Sequence, residues 1–256
     1  MKKLLYPLEA VSRNTRNIIG FGFIIMLMII WFSFSFGTRH LFPTPSQVIN
    51  GFGYLFTHGL IRELGSSITL CFKAVVFSVV IACLFGYAST MPVFKPLGKF
   101  VSVIRYLPLV GLTFYMSIPF ENARVIQVSV LVMFMTTFLT TCILQMIQDI
   151  PQEEYDHAKT LGCSKWEVLW EVVILGRIDY VIELVRQNLA IVWVMLVSVE
   201  TGNVANGGLG ILIFNGNKIG DAGVVIAAQI VIILTGLLID FALTKTRQLT
   251  FRFSKF

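Results

Sequence analysis

The residue types that most often carry out catalysis are spread thinly along this chain. Its three histidines lie in three different segments, at His40, His58 and His157. A hydrolytic site needs a nucleophile beside a general base, and a metal centre needs several ligands that converge. Since no Ser/His/Asp or metal-binding motif links these histidines, the sequence disfavours an enzyme, and we expect neither a catalytic residue nor a bound metal.

The cysteines and glycines offer no alternative chemistry. Cys71, Cys83 and Cys142 lie inside apolar stretches and Cys163 lies in the most polar segment, so no pair has metal-ligand spacing and no disulfide framework is expected. The glycine-rich stretch 202–210 lacks the lysine of a Gly-x-x-x-x-Gly-Lys-Ser/Thr phosphate loop, and we expect an external loop there, before the sixth span. The chain is therefore not expected to hydrolyse ATP.

Three polar residues in an apolar setting are the next candidates. Asn188 and Ser198 lie within an apolar run, and Glu200 lies at its end. Such groups can line a path through a membrane or can hydrogen-bond neighbouring helices to each other. Helix-to-helix bonding is the favoured interpretation, and a role in a translocation path is the alternative.

The composition indicates which elements must position these residues. Hydrophobic residues make up 56% of the 256-residue chain and charged residues 13%, whereas an ordinary soluble domain has about 45–50% and about 25%. The net charge of +6 comes from residues that flank apolar runs rather than from one basic face, which disfavours nucleic acid as a partner. The sequence predicts one all-α integral membrane protein in contact with lipid.

Six apolar stretches are candidates to cross the roughly 30 Å hydrocarbon core of a bilayer. They lie at about 17–38, 66–89, 100–120, 125–148, 181–199 and 222–239. The first is interpreted as a retained span rather than a signal peptide, because it is long and lacks a small-residue cleavage site. The third is interrupted by Pro108, Gly111 and Pro119, which predicts a broken span.

Three further features refine this arrangement. A short amphipathic helix is expected outside at 48–58. Lys73 is expected near the outer end of the second span, where its side chain can reach the headgroups. The fifth span begins with Glu183 and Arg186, so this end should face protein or a path rather than lipid. We divide the chain into an amino-terminal part, 1–60, and a core domain, 61–256.

The distribution of lysine and arginine predicts the orientation. The amino end, the 95–99 turn, the 149–176 loop and the carboxyl tail hold most of these residues. The alternate loops hold few of them, namely Arg39, Arg62, Arg124 and Lys218. Basic residues favour the cytoplasmic side, so both chain ends are expected in the cytoplasm.

The loop 149–176 is patterned as two short helices. Pro151 and the acidic residues Glu153 and Glu154 favour a helix start, and Gly162 can take the left-handed conformation that ends a helix. Ser164-Lys165-Trp166-Glu167 then matches a capping box, which predicts a second helix. We expect a helix-turn-helix that projects from the cytoplasmic face.

This loop resembles the coupling loop of ABC importer permeases, whose signature is Glu-Ala-Ala, three residues, Gly, nine residues, then Ile-x-Leu-Pro. The same register here contains Asp156-His157-Ala158, Gly162 and Val172-Val173-Ile174-Leu175. The chain departs from the signature where Asp156 replaces glutamate, His157 replaces alanine and Leu175 replaces proline. The glycine spacing is retained.

Three other segments are similar to permeases of the nitrate, sulfonate and taurine group. They are Leu41-Phe42-Pro43-Thr44-Pro45-Ser46-Gln47-Val48, Arg62-Glu63-Leu64-Gly65-Ser66-Ser67-Ile68-Thr69-Leu70 and Gly207-Gly208-Leu209-Gly210. The resemblance extends from about residue 39 to the carboxyl end. It is carried by the order and spacing of these segments together.

The resemblance implies a type I ABC importer permease fold with about six transmembrane helices in a bacterial inner membrane. It further implies a transporter subunit, working as a homodimer with two ATPase subunits and an external solute-binding protein, that moves a small anionic or zwitterionic nutrient. ATP and magnesium would bind the ATPase, and no cofactor would bind this chain. The implied ATPase-docking residues are Glu153, Glu154, Asp156, His157, Ala158 and Gly162.

Other interpretations of these features are open from the sequence. The 149–176 loop could be a solvated helix pair without a partner, and His157 could be an ordinary surface residue. A passive channel is disfavoured because no filter motif or ring of charge is present. An ion-coupled secondary transporter is the main alternative, because the broken third span and polar fifth span also suit one, although no internal repeat is visible.

Overall fold

The computed structural model describes residues 12–35, 42–202 and 207–250, and the regular secondary structure of these residues is helical. Helices α1 to α11 lie at Arg13–Ser35, Pro45–Thr57, Leu60–Ala88, Lys95–Ile104, Leu109–Ser117, Ala123–Gln148, Gln152–Thr160, Lys165–Val168, Ile178–Gly202, Leu209–Ile219 and Ala222–Thr250. A π-helical segment, Leu169–Ile174, and a 3₁₀ segment, Leu175–Arg177, join α8 to α9.

Five helical spans of these ranges are long and apolar enough to cross a membrane: 14–35, 60–88, 123–148, 165–202 and 222–249. Helices α4 and α5 form a sixth if they are counted as one broken span, since they are bent by 105°. The bend follows from Pro108, the residue before α5, which can donate no backbone hydrogen bond to a continuous helix. The predicted six-span arrangement with a broken third span is confirmed.

The centre of the molecule is the packing of α3 against α6. Small residues form a buried stripe along α3 at helical spacing, namely Ser67, Cys71, Ala74, Ser78, Ala82 and Gly86. A side chain at Gly86 would collide with Ile143 of α6, and the Ser78 hydroxyl donates to the Val132 carbonyl at 3.2 Å. Close approach of this kind is how helices associate where lipid removes the hydrophobic driving force.

A charged cluster joins α9 and α11 near their cytoplasmic ends. Glu183 accepts hydrogen bonds from Arg186 and Arg247, both at 2.6 Å. Arg186 also donates to Asp240 at 2.5 Å. The polar start of the fifth span therefore faces protein, which agrees with its expected cost against lipid.

The outer helix α2 packs against the start of α11. A Cβ atom at Gly51 would lie 2.6 Å from the carbonyl oxygen of Gly223, and a Cβ atom at Gly223 would lie 2.6 Å from the carbonyl oxygen of Gln47, so both positions require glycine. The predicted short helix at 48–58 is confirmed and begins slightly earlier, with Thr44 and Gln47 forming a capping box. The division of the chain at residue 60 stays a prediction.

The second helix of the predicted helix-turn-helix is present, and the chain stays helical from Lys165 to Gly202, into the fifth span. Two other expectations on local structure were wrong. The expected external loop includes the start of a further helix, α10, at Leu209; residues 203–206 lie outside the described part. Lys73 lies near the middle of the 29-residue helix α3, not near its outer end, because that helix begins at Leu60.

Candidate functional site

The first candidate region is α7 in the cytoplasmic loop. The helix begins after Pro151 and carries Glu153 and Glu154 in its first turn, where negative charge complements the helix dipole. Arg177 donates to Glu154 at 2.5 Å. Since Arg177 immediately precedes α9, this ion pair ties α7 to the start of a membrane span.

The end of α7 is closed by backbone geometry that only glycine adopts readily. Gly162 has φ of +84°, and its N–H donates to the Lys159 carbonyl at 2.9 Å. The Cys163 N–H reaches back to the Ala158 carbonyl at 3.2 Å. This is a Schellman-type ending, and the predicted helix stop at Gly162 is confirmed.

A reciprocal cap starts the next helix two residues later. The Ser164 N–H donates to the Glu167 carboxylate at 2.6 Å, and the Glu167 N–H donates to the Ser164 hydroxyl at 3.4 Å. The capping box is confirmed. The two caps together fix the turn between α7 and α8.

The predicted docking residues divide into exposed and internal ones. Ala158 is 7% exposed, whereas Glu153, Asp156 and His157 are exposed. Lys159 donates to Asp156 at 2.8 Å, and this bond holds the pKa of the Asp156 carboxyl below its usual value. The exposed residues form a polar face of α7 that is accessible to solvent in the single chain.

The second candidate region is the outer junction of α3, α9 and α10, where Glu200 is fully buried. The Ser67 hydroxyl donates to Glu200 Oε1 at 2.7 Å, and the Gly210 N–H donates to Oε2 at 2.9 Å. The Leu209 N–H donates to the Ser67 hydroxyl at 2.8 Å. These contacts place Glu200 at the amino end of α10, where the helix dipole favours a carboxylate.

The glycines before α10 make this contact possible. Gly208 donates its N–H to Glu63 and has φ of +125°. A Cβ atom at Gly208 would lie 2.2 Å from the Glu200 carboxylate. A Cβ at Gly210 would lie 2.5 Å from the Val197 carbonyl oxygen. The pattern Gly207-Gly208-Leu209-Gly210 therefore lets a helix start against a buried carboxylate.

The other two path candidates on α9 have different surroundings. Asn188 is buried and donates to the Leu184 carbonyl at 2.8 Å, with Cys142 Sγ of α6 at 3.7 Å. Ser198 is exposed. At about 100° per residue, Asn188, Ser198 and Glu200 point in three different directions, so the fold does not bring them together on one face.

A basic groove lies between α3 and α6. It has a volume of about 270 Å³ and is lined by Arg62, Gly65, Ser66, Thr69, Leu70, Lys73 and Arg124. Arg124 donates to the Ser66 hydroxyl and to Gln127 Oε1, the latter at 3.1 Å. Arg62 and Arg124 stand near the starts of their helices, and Lys73 extends the positive charge toward the middle of α3.

This groove was not predicted from the sequence, although a signal for one wall of it was present. Arg62, Ser66, Thr69 and Lys73 recur at i, i+4, i+7 and i+11, which places them on one face of a helix. Arg124 is 51 residues further along than Lys73. Only the packing of α3 on α6 brings it to the same groove.

Comparison with known proteins agrees with this architecture. The family described as binding-protein-dependent transport system inner membrane component matches residues 92–247. The taurine transport system permease protein TauC of Escherichia coli (strain K12) is 24% identical over 245 residues, covering 88% of this chain and 86% of that protein. A putative ABC transporter permease of Methanocaldococcus jannaschii is 32% identical over 94 residues, 37% of this chain and 35% of that protein.

Solved structures show the same fold. An inward-facing structure of the MetNI methionine ABC transporter matches with a TM-score of 0.65 and 18% identity, over 75% of this chain and 96% of that chain. An amino acid ABC transporter crystallised with histidines matches with a TM-score of 0.54 and 18% identity, over 77% and 94%.

The family match extends over more than half of the chain and includes the broken third span, the cytoplasmic loop and the last span. The helical spans and the structural neighbours agree with it. The chain therefore belongs to the binding-protein-dependent transport system inner membrane components, as a multi-pass permease subunit of an ABC importer in the bacterial inner membrane.

Proposed function

We propose that this permease moves a small anionic or zwitterionic nutrient, of the nitrate, sulfonate or taurine type, and that a separate ATPase drives the movement through α7. The observation that carries the substrate class is the basic groove of Arg62, Lys73 and Arg124. The relative TauC is named for taurine transport, and taurine carries a sulfonate and an amine.

The position of Lys73 is the first argument for this class. A lysine near the centre of a membrane helix costs about 2.5–3.5 kcal/mol on insertion scales. Such a residue is usually found where it faces a path or a partner rather than lipid. Lys73 is exposed in the single chain, so a path between two copies or a bound anion would compensate for its charge.

The chemistry of the groove is the second argument. Its described lining combines three cations with the hydroxyls of Ser66 and Thr69 and contains no carboxylate. Guanidinium groups and hydroxyls donate to several oxygens of one oxyanion at once. The volume of about 270 Å³ lies just below that of drug-sized pockets, which begin at about 300 Å³, and suits a small solute.

The exposed face of α7 is the proposed docking surface for the ATPase. Glu153, Asp156 and His157 would contact the partner, while Glu154 and Ala158 hold the helix against its own chain through Arg177 and the buried interior. Gly162 ends the helix and sets the direction of the chain beyond it. ATP and magnesium would bind the partner, and this chain would bind no cofactor.

Coupling requires that the ATPase bind α7 differently in its two nucleotide states, because a ligand shifts an equilibrium only by its differential affinity. The pair Glu154–Arg177 connects α7 to the continuous helix 165–202, so a displacement of α7 would be transmitted to α9. Two copies of the chain would enclose the path, and an external solute-binding protein would deliver the nutrient. Ser198, exposed on α9, remains a candidate for the path wall, whereas the contacts of Asn188 and Glu200 favour helix-to-helix bonding.

A Lys73 series tests the substrate class in the reconstituted complex. We expect Lys73→Met to lower uptake of taurine or nitrate at least tenfold, while Lys73→Arg keeps most of it. ATPase association should be unchanged in both variants, because Lys73 lies near the middle of α3, whereas α7 lies beyond the cytoplasmic end of α6. The control is Lys218→Met, an exposed residue outside the groove. Full uptake by Lys73→Met would show that the groove is not part of the translocation path.

The proposed ATPase partner is tested by isolating the tagged chain in mild detergent and assaying the product for ATP hydrolysis. A stoichiometric ATPase partner is the expected result. An isolated chain without ATPase that still transports in liposomes would contradict the proposed coupling through α7.

A further inference from the structure

A large cavity lies at the cytoplasmic end of the molecule, on the side of α7 opposite Glu153 and His157. It has a volume of about 790 Å³ and is bounded by the ends of α3 and α6, by α4, and by the loop from α7 to the π-helical segment. We propose that this cavity binds the headgroup of an anionic glycerophospholipid from the cytoplasmic leaflet. The proposal goes beyond the transport function and does not depend on it.

Charge is the first argument. Four lysines line the cavity, Lys95 and Lys99 from α4, Lys159 from α7 and Lys165 from α8. Lys159 is paired with Asp156 at 2.8 Å. Within the described ranges, the other three have no ion-pair partner, and no carboxylate belongs to the cavity lining. Basic pockets between membrane helices on this side are suited to anionic lipid headgroups.

The apolar walls are the second argument, and they favour a lipid over free phosphate. Leu144 and Ile147 of α6 and Leu169 and Val173 of the π-helical segment line the same cavity as the lysines. Trp166, also in the lining, is 67% exposed and can place its ring at the depth where headgroups meet acyl chains. A ligand with a phosphate and an acyl chain satisfies both halves of this surface.

The geometry of α7 separates this site from the ATPase. Tyr155 and Lys159, which line the cavity, are four residues apart and share one face of α7. Glu153 and His157 are also four residues apart, and they lie about 200° around the helix from that face. A lipid in the cavity would therefore leave Glu153 and His157 accessible to the ATPase, while Asp156, which Lys159 binds at 2.8 Å, lies between the two faces. Its headgroup would contact lysines of both α4 and α7 and so stabilise the position of the loop 149–176.

Native mass spectrometry of the purified complex tests the site. The complex is released from nanodiscs of phosphatidylcholine with or without phosphatidylglycerol, and retained phosphatidylglycerol is counted. A lysine near the headgroups contributes about fivefold to binding an anionic lipid, so the variant Lys95→Gln/Lys99→Gln/Lys165→Gln should bind it on the order of 100-fold more weakly. Lys245→Gln, a change on an exposed lysine of the same membrane side outside the cavity, should bind normally.

Two further arms make each result decisive. The variant Lys95→Arg/Lys99→Arg/Lys165→Arg keeps the charge and should retain phosphatidylglycerol, which separates loss of charge from loss of fold. Inorganic phosphate should not displace the lipid. Undiminished binding by the glutamine variant, loss of binding by the arginine variant, or full displacement by phosphate would each overturn the proposal.

Discussion

The outer junction and the cytoplasmic loop both depend on carboxylates near helix ends, yet they use them in opposite ways. At the outer junction Glu200 is fully buried, and both of its oxygens accept hydrogen bonds from the same chain. On the loop the carboxylates of Glu153 and Asp156 are exposed. The hydrogen bonds of the outer junction are complete within one subunit, whereas the loop presents a formed helix whose polar face is exposed in the single chain.

The largest expected effect is a loss of stability when the outer junction is changed. Glu200→Ala would leave the Ser67 hydroxyl and the Gly210 N–H buried without an acceptor, and each such donor costs about 1–3 kcal/mol. We expect a loss of about 3 kcal/mol in the free energy of unfolding, measured by thermal denaturation in detergent. Glu200→Gln keeps one acceptor and should lose less.

The control for this change is Glu121→Ala, because Glu121 is exposed. If Glu200→Ala is no less stable than Glu121→Ala but transports nothing, Glu200 belongs to the path and the assignment as a structural junction is wrong.

A smaller effect is expected at the loop, and it should concern the partner more than the fold. Gly162→Val forces a β-branched residue into the left-handed conformation, at a cost of about 1–2 kcal/mol. That cost distorts the end of α7, so ATPase association should weaken by about tenfold in co-purification at fixed concentrations.

Gly59→Val is a matched control for the backbone strain. Gly59 has φ of +83° against +84° for Gly162, and a Cβ atom added at either position would meet no neighbouring atom within 4 Å. Gly59 is the residue before α3, at the outer end of that helix, whereas α7 lies on the cytoplasmic side. Equal loss of ATPase in the two variants would show that strain anywhere in the fold weakens association, and would remove the special role of α7.

The smallest effect is expected for the ion pair that ties α7 to α9. Glu154 and Arg177 are 45% and 28% exposed, and pairs of this kind contribute about 0.2–1 kcal/mol. A double-mutant cycle with Glu154→Gln and Arg177→Gln should give a coupling energy of about 0.5 kcal/mol at low salt and less at high salt. A coupling that is large and insensitive to salt would mean that the loop is anchored as firmly as the outer junction.

Much of the loop could be predicted from the sequence because its signals are local. The stop at Gly162, the cap formed by Ser164 and Glu167, and the break at Pro108 each depend on residues within a few positions of each other. The outer junction could not be predicted in this way. Ser67 and Glu200 are 133 residues apart, and nothing near either residue specifies the other.

The sequence by itself determined the membrane class, the number of spans, the two caps of the cytoplasmic loop and the family, because hydropathy, helix-end chemistry and motif spacing are properties of short segments. The tertiary structure alone decided that α10 begins against Glu200, that α8 continues into α9, and that Lys73 and Arg124 share one groove. Each of these depends on which helix faces pack together. Lipid and the protein interior offer no water to hydrogen-bond a buried polar group, so such a group must take its partner from another segment of the chain.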